Sequence, residues 1–290
     1  MTRKRLAISA FVALAGAVVA LSWFLFAAPL YLLMPHAPRN TDALFGDELA
    51  IVAHRGVSGE APENTLAAFR EARRQKTWIE LDVTLCKTGE VIVIHDDTVD
   101  RTTDGTGVVE DMTIQELRKL DAGAWFGGEF THEKLPTLSE VLAVIGPDTI
   151  IDIELKTDDD KKSLPLAVAK VIERAKRADS VFVSSFDPFM LEQLRFASPE
   201  IYRAQLVGSY EDSDLAFYEK RALRNLAFTA KVQPDLILWE HTVLGPEVIE
   251  RLQGEGYRVL AWTVDEPADI QRLKDQGIDG ILSNFPRRVK

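Results

Sequence analysis

Two runs rich in β-branched residues, Trp78-Ile-Glu-Leu-Asp-Val-Thr-Leu85 and Val91-Ile-Val-Ile-His95, stand almost side by side in the chain. Only residues 86–90 separate them, with Lys87-Thr-Gly89 at the centre. Parallel strands need a crossover of about a dozen or more residues, whereas antiparallel strands are joined by a few turn residues. This stretch therefore predicts one strand and its antiparallel return, with a hairpin between them.

Strand-like runs and helical patterns alternate along the rest of the chain, which indicates a parallel sheet. The other strand candidates are 50–54, 149–156, 181–185, 202–206, 236–239, 258–264 and 280–283. The helix candidates are 63–76, 113–120, 137–145, 161–178, 188–197, 212–228, 246–254 and 267–276. Without the hairpin return the strand count is eight, so we predict an α/β fold, a TIM-type (β/α)8 barrel over residues 48–290. Residues 96–136, with several Gly and Thr, are predicted to be a small insertion after the second strand, on the catalytic face.

Composition narrows the class of protein. The chain has 290 residues, 46% of them hydrophobic, and a formal net charge of −11. These values describe a globular protein, and the acidic balance argues against a nucleic-acid partner. Cys86 is the only cysteine, so an intramolecular disulfide is excluded.

The N-terminal residues 1–35 are predicted to be a membrane anchor. Arg3-Lys-Arg5 precedes an uncharged run, 6–34, and a spanning helix needs only about 20 such residues. The basic residues predict a cytoplasmic N-terminus, with the catalytic domain on the periplasmic or extracytoplasmic side. The alternative is a cleaved signal peptide and a secreted domain. Residues 36–47 are predicted to be a linker, which at about 3.3–3.6 Å per residue reaches roughly 40 Å and allows the barrel mouth to lie near the lipid surface.

Acidic side chains mark the ends of two predicted strands. Glu80 and Asp82 are two residues apart and share a face, as do Asp152, Glu154 and Lys156. Carboxylates pointing into a packed barrel are costly unless they are paired or bind a cation. Oxygen ligands without cysteine favour Mg²⁺ or Ca²⁺ over zinc. The alternative is a set of structural ion pairs, with Lys156 as the partner of Glu154.

Two histidines are expected near these carboxylates. The hairpin return brings His95 back beside Asp82, and His54 ends the first strand. Such histidines suit general acid and general base roles, although they are also possible metal ligands. Arg55 and Lys156 supply positive charge that suits a phosphoryl group.

An ordered series of motifs resembles the glycerophosphodiester phosphodiesterase family. It runs through His54-Arg-Gly56, Pro62-Glu-Asn-Thr65, Glu80-Leu-Asp-Val83, His95-Asp96, Asp100-Arg-Thr-Thr-Asp-Gly-Thr-Gly107, Leu135-Pro-Thr-Leu138, Glu154-Leu-Lys156, Ala261-Trp-Thr-Val264 and Asp279-Gly-Ile-Leu-Ser-Asn284. The matches cover roughly residues 50–286, and the family's fold is a TIM barrel with a small insertion.

The resemblance implies a role for each matched position. The implied metal ligands for one divalent cation are Glu80, Asp82 and Glu154, and the implied acid–base pair is His54 and His95. Arg55 and Lys156 are implied to bind phosphate, Glu63 lies near the site or caps the following helix, and Trp262 is the aromatic wall that contacts the alcohol, with a core tryptophan as the alternative.

The expected activity is metal-dependent hydrolysis of a glycerophosphodiester to sn-glycerol 3-phosphate, or a related phosphomonoester, and an alcohol. Ser58-Gly-Glu60 resembles membrane-anchored branches of the family, some of whose members cleave lysophospholipids. A lysophospholipase D is therefore one alternative. A catalytically inactive, membrane-bound binding barrel is the other, although no expected histidine or carboxylate is missing.

Overall fold

The computed structural model describes residues 36–46, 48–156, 163–211 and 213–290. Within them one sheet closes on itself through the pairings of its first strand with the second and the last. The strands are β1 (Ala50–Ala53), β2 (Trp78–Leu85), β3 (Val91–Val93), β4 (Ile151–Leu155), β5 (Val181–Ser185), β6 (Tyr202–Val207), β7 (Leu236–Glu240), β8 (Arg258–Trp262) and β9 (Gly280–Ser283). All except β3 run parallel around the ring, so the predicted TIM-type barrel is confirmed.

Helices follow most of the strands on the outside of the barrel, and the first helix precedes β1. They are α1 (Asp42–Phe45), α2 (Leu66–Arg74), α3 (Ile114–Leu117), α4 (Leu138–Ile145), α5 (Ser163–Ala175), α6 (Pro188–Ala197), α7 (Phe217–Arg224), α8 (Thr229–Val232), α9 (Pro246–Gly254) and α10 (Pro267–Asp275). The single helix predicted over 212–228 is shorter in the described residues: α7 begins at Phe217 and ends at Arg224, and Leu226, just beyond it, takes a left-handed backbone conformation with φ of 54°. The predicted anchor, 1–35, lies outside the described residues, and none of the described helices is long and apolar enough to cross a membrane.

The hairpin is the feature that sets the strand count. β3 returns antiparallel to β2, with Val83 opposite Val93. Gly89 occupies the left-handed region of the turn, with φ of 88°, which glycine adopts without steric cost. β4 therefore pairs with β2 directly, and this register puts Glu80 beside Asp152 and Asp82 beside Glu154.

Two apolar layers hold the barrel together. Residues that point outward from the strands, such as Leu81 and Ile153, pack against the helices around Val141 and Val168. Residues that point inward, such as Phe182, fill the barrel interior. Because side chains alternate along a strand, the inward positions continue up each strand to the mouth at its C-terminal end.

Residues 36–46, which we predicted to be part of a linker, pack against the N-terminal ends of the strands. Arg39 pairs with buried Asp235, just before β7, with Nη2 2.7 Å from Oδ2. In α1, Phe45 is 6% exposed and its ring centroid lies 4.7 Å from that of Trp78. The described part of the segment therefore belongs to the domain, and it closes the end of the barrel opposite the mouth.

The contact between α1 and the barrel predicts a stability effect. Phe45→Ala should lower the free energy of unfolding by about 3 kcal/mol, because a buried phenylalanine is removed from a packed interior. Urea denaturation followed by circular dichroism measures this change. Phe196→Ala, at a position that is 71% exposed, is the matched control and should shift stability by less than about 0.5 kcal/mol. Equal effects of the two substitutions would show that α1 does not stabilise the barrel.

Candidate active site

Three carboxylates converge at the mouth of the barrel. Glu80 and Asp82 come from β2 and Glu154 from the end of β4, and one oxygen of each lies within 4.8 Å of the others. Glu80 and Asp82 are almost fully buried, at 2% and 1% exposure. The sequence predicted these three residues as one cluster, and the structure brings them together.

The electrostatics of this cluster are strained without a cation. Burial, followed by the neighbouring charges of Asp82 and Glu154, raises the pKa of Glu80 well above its usual value. Glu80 Oε1 and Asp82 Oδ1 are both buried, and neither accepts a hydrogen bond. Buried carboxylate oxygens that lie close together and accept no hydrogen bond are the ligands that a hard divalent cation binds. The residues present therefore fit the metal site that the sequence predicts.

Two basic side chains flank the carboxylates. Arg55 Nε lies 3.3 Å from Asp82 Oδ2, and the Arg55 backbone N–H donates to Glu80 Oε2 at 2.7 Å. Lys156 Nζ lies 2.9 Å from Glu154 Oε1 and 3.6 Å from Asp82 Oδ1. Burial opposes ionisation of Asp82, but Lys156 and Arg55 outweigh it and lower the pKa of that carboxyl. The ion pair considered for Lys156 and Glu154 is present, and it leaves Lys156 lining the cavity.

His54 is held by a chain of hydrogen bonds. Its Nδ1 lies 2.8 Å from Asn284 Oδ1, and Asn284 Nδ2 donates to Asp265 Oδ2 at 2.6 Å. A carboxylate accepts only, so Asp265 fixes which way the Asn284 amide points, and Asn284 Oδ1 must accept the proton on His54 Nδ1. Burial and the charge of Arg55 lower the pKa of His54 to about 4. The ring is therefore neutral at pH 7, and its Nε2 carries the unshared lone pair. This atom lies 4.0 Å from Glu80 Oε2.

His95 enters the same cavity from the end of the hairpin return. Its Nδ1 lies 2.7 Å from Asp96 Oδ1. Arg101 donates to Asp96 Oδ2 at 2.7 Å and to Glu63 Oε2 at 2.8 Å. These bonds from Arg101, together with that from His95, hold the pKa of Asp96 well below its usual range. Both histidines line a cavity of about 110 Å³ with Arg55, Lys156, Glu80 and Glu154.

A sequence model of the glycerophosphoryl diester phosphodiesterase family matches residues 54–288, most of the chain. The chain belongs to this family. A glycerophosphodiester phosphodiesterase of Caldanaerobacter subterraneus is 36% identical over 242 residues, 82% of this chain and 95% of that protein. One from Bacillus subtilis is 32% identical over 266 residues, 86% of this chain and 88% of that protein.

Solved structures agree with the sequence comparison. A phosphodiesterase of Oleispira antarctica in complex with the product sn-glycerol-3-phosphate has 31% identity and a TM-score of 0.73, covering 83% of this chain and 94% of that chain. A glycerophosphodiester phosphodiesterase of Agrobacterium tumefaciens has 30% identity and a TM-score of 0.70, covering 83% and 99%. The resemblance to this family is confirmed, and the chain is a phosphoric diester hydrolase.

Glu63 and Trp262, the remaining predicted site residues of this phosphodiesterase, occupy different surroundings. Trp262 lines the cavity, and its ring centroid lies 5.4 Å from that of Phe186 in an edge-to-face arrangement. Glu63 forms ion pairs with Arg55, at 2.9 Å, and with Arg101, and it does not line the cavity. It does not cap α2 either, because Thr65 is the N-cap and accepts from the N–H of Ala68.

Several supporting residues of the phosphodiesterase were not given roles from the sequence. Asn64 Nδ2 donates to Asp82 Oδ2 at 2.8 Å, and Ser184 donates to Asp152 Oδ1 at 2.7 Å. Asn284 and Asp265 orient His54, as described above. Asn64 and Asn284 belong to two of the motifs that resemble the family, so the sequence indicated that these positions matter. Only the fold shows which atoms they contact.

Proposed function

We propose that the enzyme hydrolyses glycerophosphodiesters to sn-glycerol 3-phosphate, or a related phosphomonoester, and an alcohol, with one divalent cation. The observation that carries this proposal is the meeting, at the mouth of the barrel, of a cluster of three carboxylates, two basic side chains and two histidines. The Oleispira relative, solved with sn-glycerol-3-phosphate, supports the choice of product.

The proposed cation is Mg²⁺ or Ca²⁺, held by Glu80, Asp82 and Glu154, whose donor atoms are all oxygens. When bound, such an ion supplies positive charge that stabilises the developing negative charge on the phosphoryl oxygens. We propose that Arg55 and Lys156 bind the remaining phosphoryl oxygens, because both are positively charged and both line the cavity. Glu63 holds Arg55 in place through their ion pair.

Proton transfer is assigned to the two histidines. One accepts the proton of the nucleophile, which is water or the glycerol hydroxyl of the substrate, and the other donates a proton to the leaving alkoxide. In His54 the transferring atom is Nε2, because Nδ1 is bonded to Asn284. In His95, Asp96 occupies Nδ1 and leaves Nε2 for the same purpose. Trp262 is proposed to contact the alcohol.

A substrate panel tests this function. Purified enzyme is assayed against glycerophosphocholine, glycerophosphoethanolamine and lysophosphatidylcholine, with Mg²⁺ and with Ca²⁺. We expect release of glycerol 3-phosphate from the first two. Turnover of lysophosphatidylcholine alone, with lysophosphatidic acid as product, favours the lysophospholipase D alternative. Absence of turnover on every diester would overturn the proposal.

We propose further that residues 1–35 anchor the enzyme, with the catalytic domain on the periplasmic or extracytoplasmic side. Residues 36–46 pack at the end of the barrel opposite the mouth. In the proposed orientation the mouth therefore points away from the membrane that holds the anchor. A free linker over residues 36–47 would have allowed the mouth to face that membrane. It favours water-soluble diesters over lysophospholipids embedded in that membrane.

Fractionation tests the anchor. The full chain should sediment with membranes and resist carbonate extraction, because about 20 apolar helical residues are enough to span a bilayer. A chain that begins at His36 keeps the contacts of α1 and should be soluble and equally active on glycerophosphocholine. A native protein found in the soluble fraction, shortened by about 30 residues, would indicate a signal peptide instead.

A further inference from the structure

The mouth of the barrel has two chemically different halves. The carboxylates, His54 and the phosphate-binding candidates come from β1, β2 and β4. The opposite half comes from the ends of β5 to β8 and carries Phe186, Gly208, Glu240 and Trp262. Glu240 follows Leu236 and Leu238 at alternate positions, and those two residues fill the barrel interior. The side chain of Glu240 therefore faces the mouth.

Gly208 leaves a notch between these groups. A β-carbon built on Gly208 lies 3.2 Å from Glu240 Oε2, 3.5 Å from the Phe186 ring and 3.6 Å from the Trp262 ring. The two rings also contact each other edge to face, and the ring centroid of Tyr210 lies 6.1 Å from that of Phe186. One carboxylate oxygen and two aromatic rings thus surround a space that any larger residue at position 208 would fill.

Glu240 has no cationic partner among the described residues. Its Oε2 accepts the N–H of Ser209 at 2.6 Å, and its Oε1 accepts the hydroxyl of Thr242. Partial burial opposes ionisation, but these hydrogen bonds outweigh it and lower the pKa of Glu240. The result is a fixed negative charge on the side of the mouth that carries no phosphate-binding group. The reaction proposed above does not use that charge.

We propose that Glu240, Phe186 and Trp262 form a subsite for a cationic alcohol, so that the enzyme selects glycerophosphodiesters whose head group is an ammonium, as in choline or ethanolamine esters. Aromatic faces attract such cations, tryptophan most strongly, and a carboxylate adds a direct charge interaction. The substrate would lie across the mouth with its phosphate near Arg55 and Lys156 and its ammonium near Glu240. This inference rests on the proposed function.

Charge recognition is tested with a pair of substrates that differ only in charge. Glycerophosphocholine is compared with its 3,3-dimethylbutyl analogue, in which carbon replaces the ammonium nitrogen. The wild-type enzyme should show a kcat/KM about tenfold higher for the choline ester, the size expected of a partly desolvated cation–π and carboxylate site. Glu240→Gln keeps the shape and the acceptor for Ser209, and it should bring that ratio close to one.

Two further variants separate charge from shape. Glu250→Gln removes the same charge from an exposed position on α9 and should leave the ratio at its wild-type value. Gly208→Ala fills the notch and should reduce turnover of the choline ester more than that of the smaller ethanolamine ester. A wild-type ratio near one overturns the proposal. Equal losses of the choline ester and of its neutral 3,3-dimethylbutyl analogue in Glu240→Gln also overturn it, since a residue that binds the shared glycerol lowers both.

A binding measurement tests the subsite even if no diester is hydrolysed. Absence of hydrolysis would contradict the proposed function but would leave the cation subsite to be tested by binding. Choline and its neutral isostere 3,3-dimethyl-1-butanol are then titrated into the wild-type protein and followed by tryptophan fluorescence. Choline should bind about tenfold more tightly than the isostere, and Glu240→Gln should lose the difference. Equal binding of the two probes would exclude a cation subsite.

Discussion

Treatment with EDTA should abolish hydrolysis, and Mg²⁺ or Ca²⁺ should restore it. The reason is the cluster of Glu80, Asp82 and Glu154, whose oxygens lie within 4.8 Å of one another and include buried atoms without hydrogen-bond donors. A bound cation also stabilises the folded state, so the melting temperature should rise with metal concentration. Activity and thermal unfolding, measured in parallel on metal-free protein, check both expectations.

Glu80→Gln separates metal binding from other effects. It removes one ligand charge while keeping the volume of the side chain, and it should weaken metal affinity by roughly tenfold or more, as measured by calorimetry. Glu200→Gln, at an exposed position near the opposite end of the barrel, is the control and should bind the cation normally. Because burial and neighbouring carboxylates raise the pKa of Glu80, protons compete with the cation, and affinity should rise as pH increases. Full activity in metal-free protein would show that the cluster is structural.

His54→Asn and His95→Asn should each lower kcat by about 10²–10⁴, the range of general acid–base catalysis. KM should change little, because substrate binding is assigned to Arg55, Lys156 and the cation. Each substitution removes one side-chain hydrogen bond, so the free energy of unfolding should fall by only about 0.5–1.5 kcal/mol. Steady-state kinetics and urea denaturation on the same preparations distinguish loss of catalysis from loss of folding.

The exposed His132 supplies the matched control. It has φ of 79°, a conformation that asparagine tolerates, so His132→Asn changes the same residue type without backbone strain. This variant should keep wild-type kcat. Wild-type turnover in His54→Asn or His95→Asn would contradict the assignment of that histidine to proton transfer.

Local sequence patterns determined the barrel and the metal cluster. Five residues between two strands permit only a hairpin, and removing its return strand from the count leaves the eight parallel strands that close the ring. The spacing of Glu80 and Asp82 puts both on one face of β2, since side chains alternate along a strand. The register between β2 and β4 then sets Asp82 beside Glu154, as the shared ends of parallel strands require.

The tertiary structure alone decided the contacts between residues distant in the chain. His54 and Asn284 are 230 positions apart and meet only because β1 pairs with β9 to close the barrel. Arg39 and Asp235, 196 positions apart, meet at the other end, where residues 36–46 pack although they were predicted to be a linker. The notch at Gly208 is likewise lined by residues at the ends of strands β5 to β8, which only the closed barrel brings together. A two-residue period specifies which face of its own strand a side chain occupies, but the partner across the barrel depends on strand register and ring closure, which no local pattern encodes.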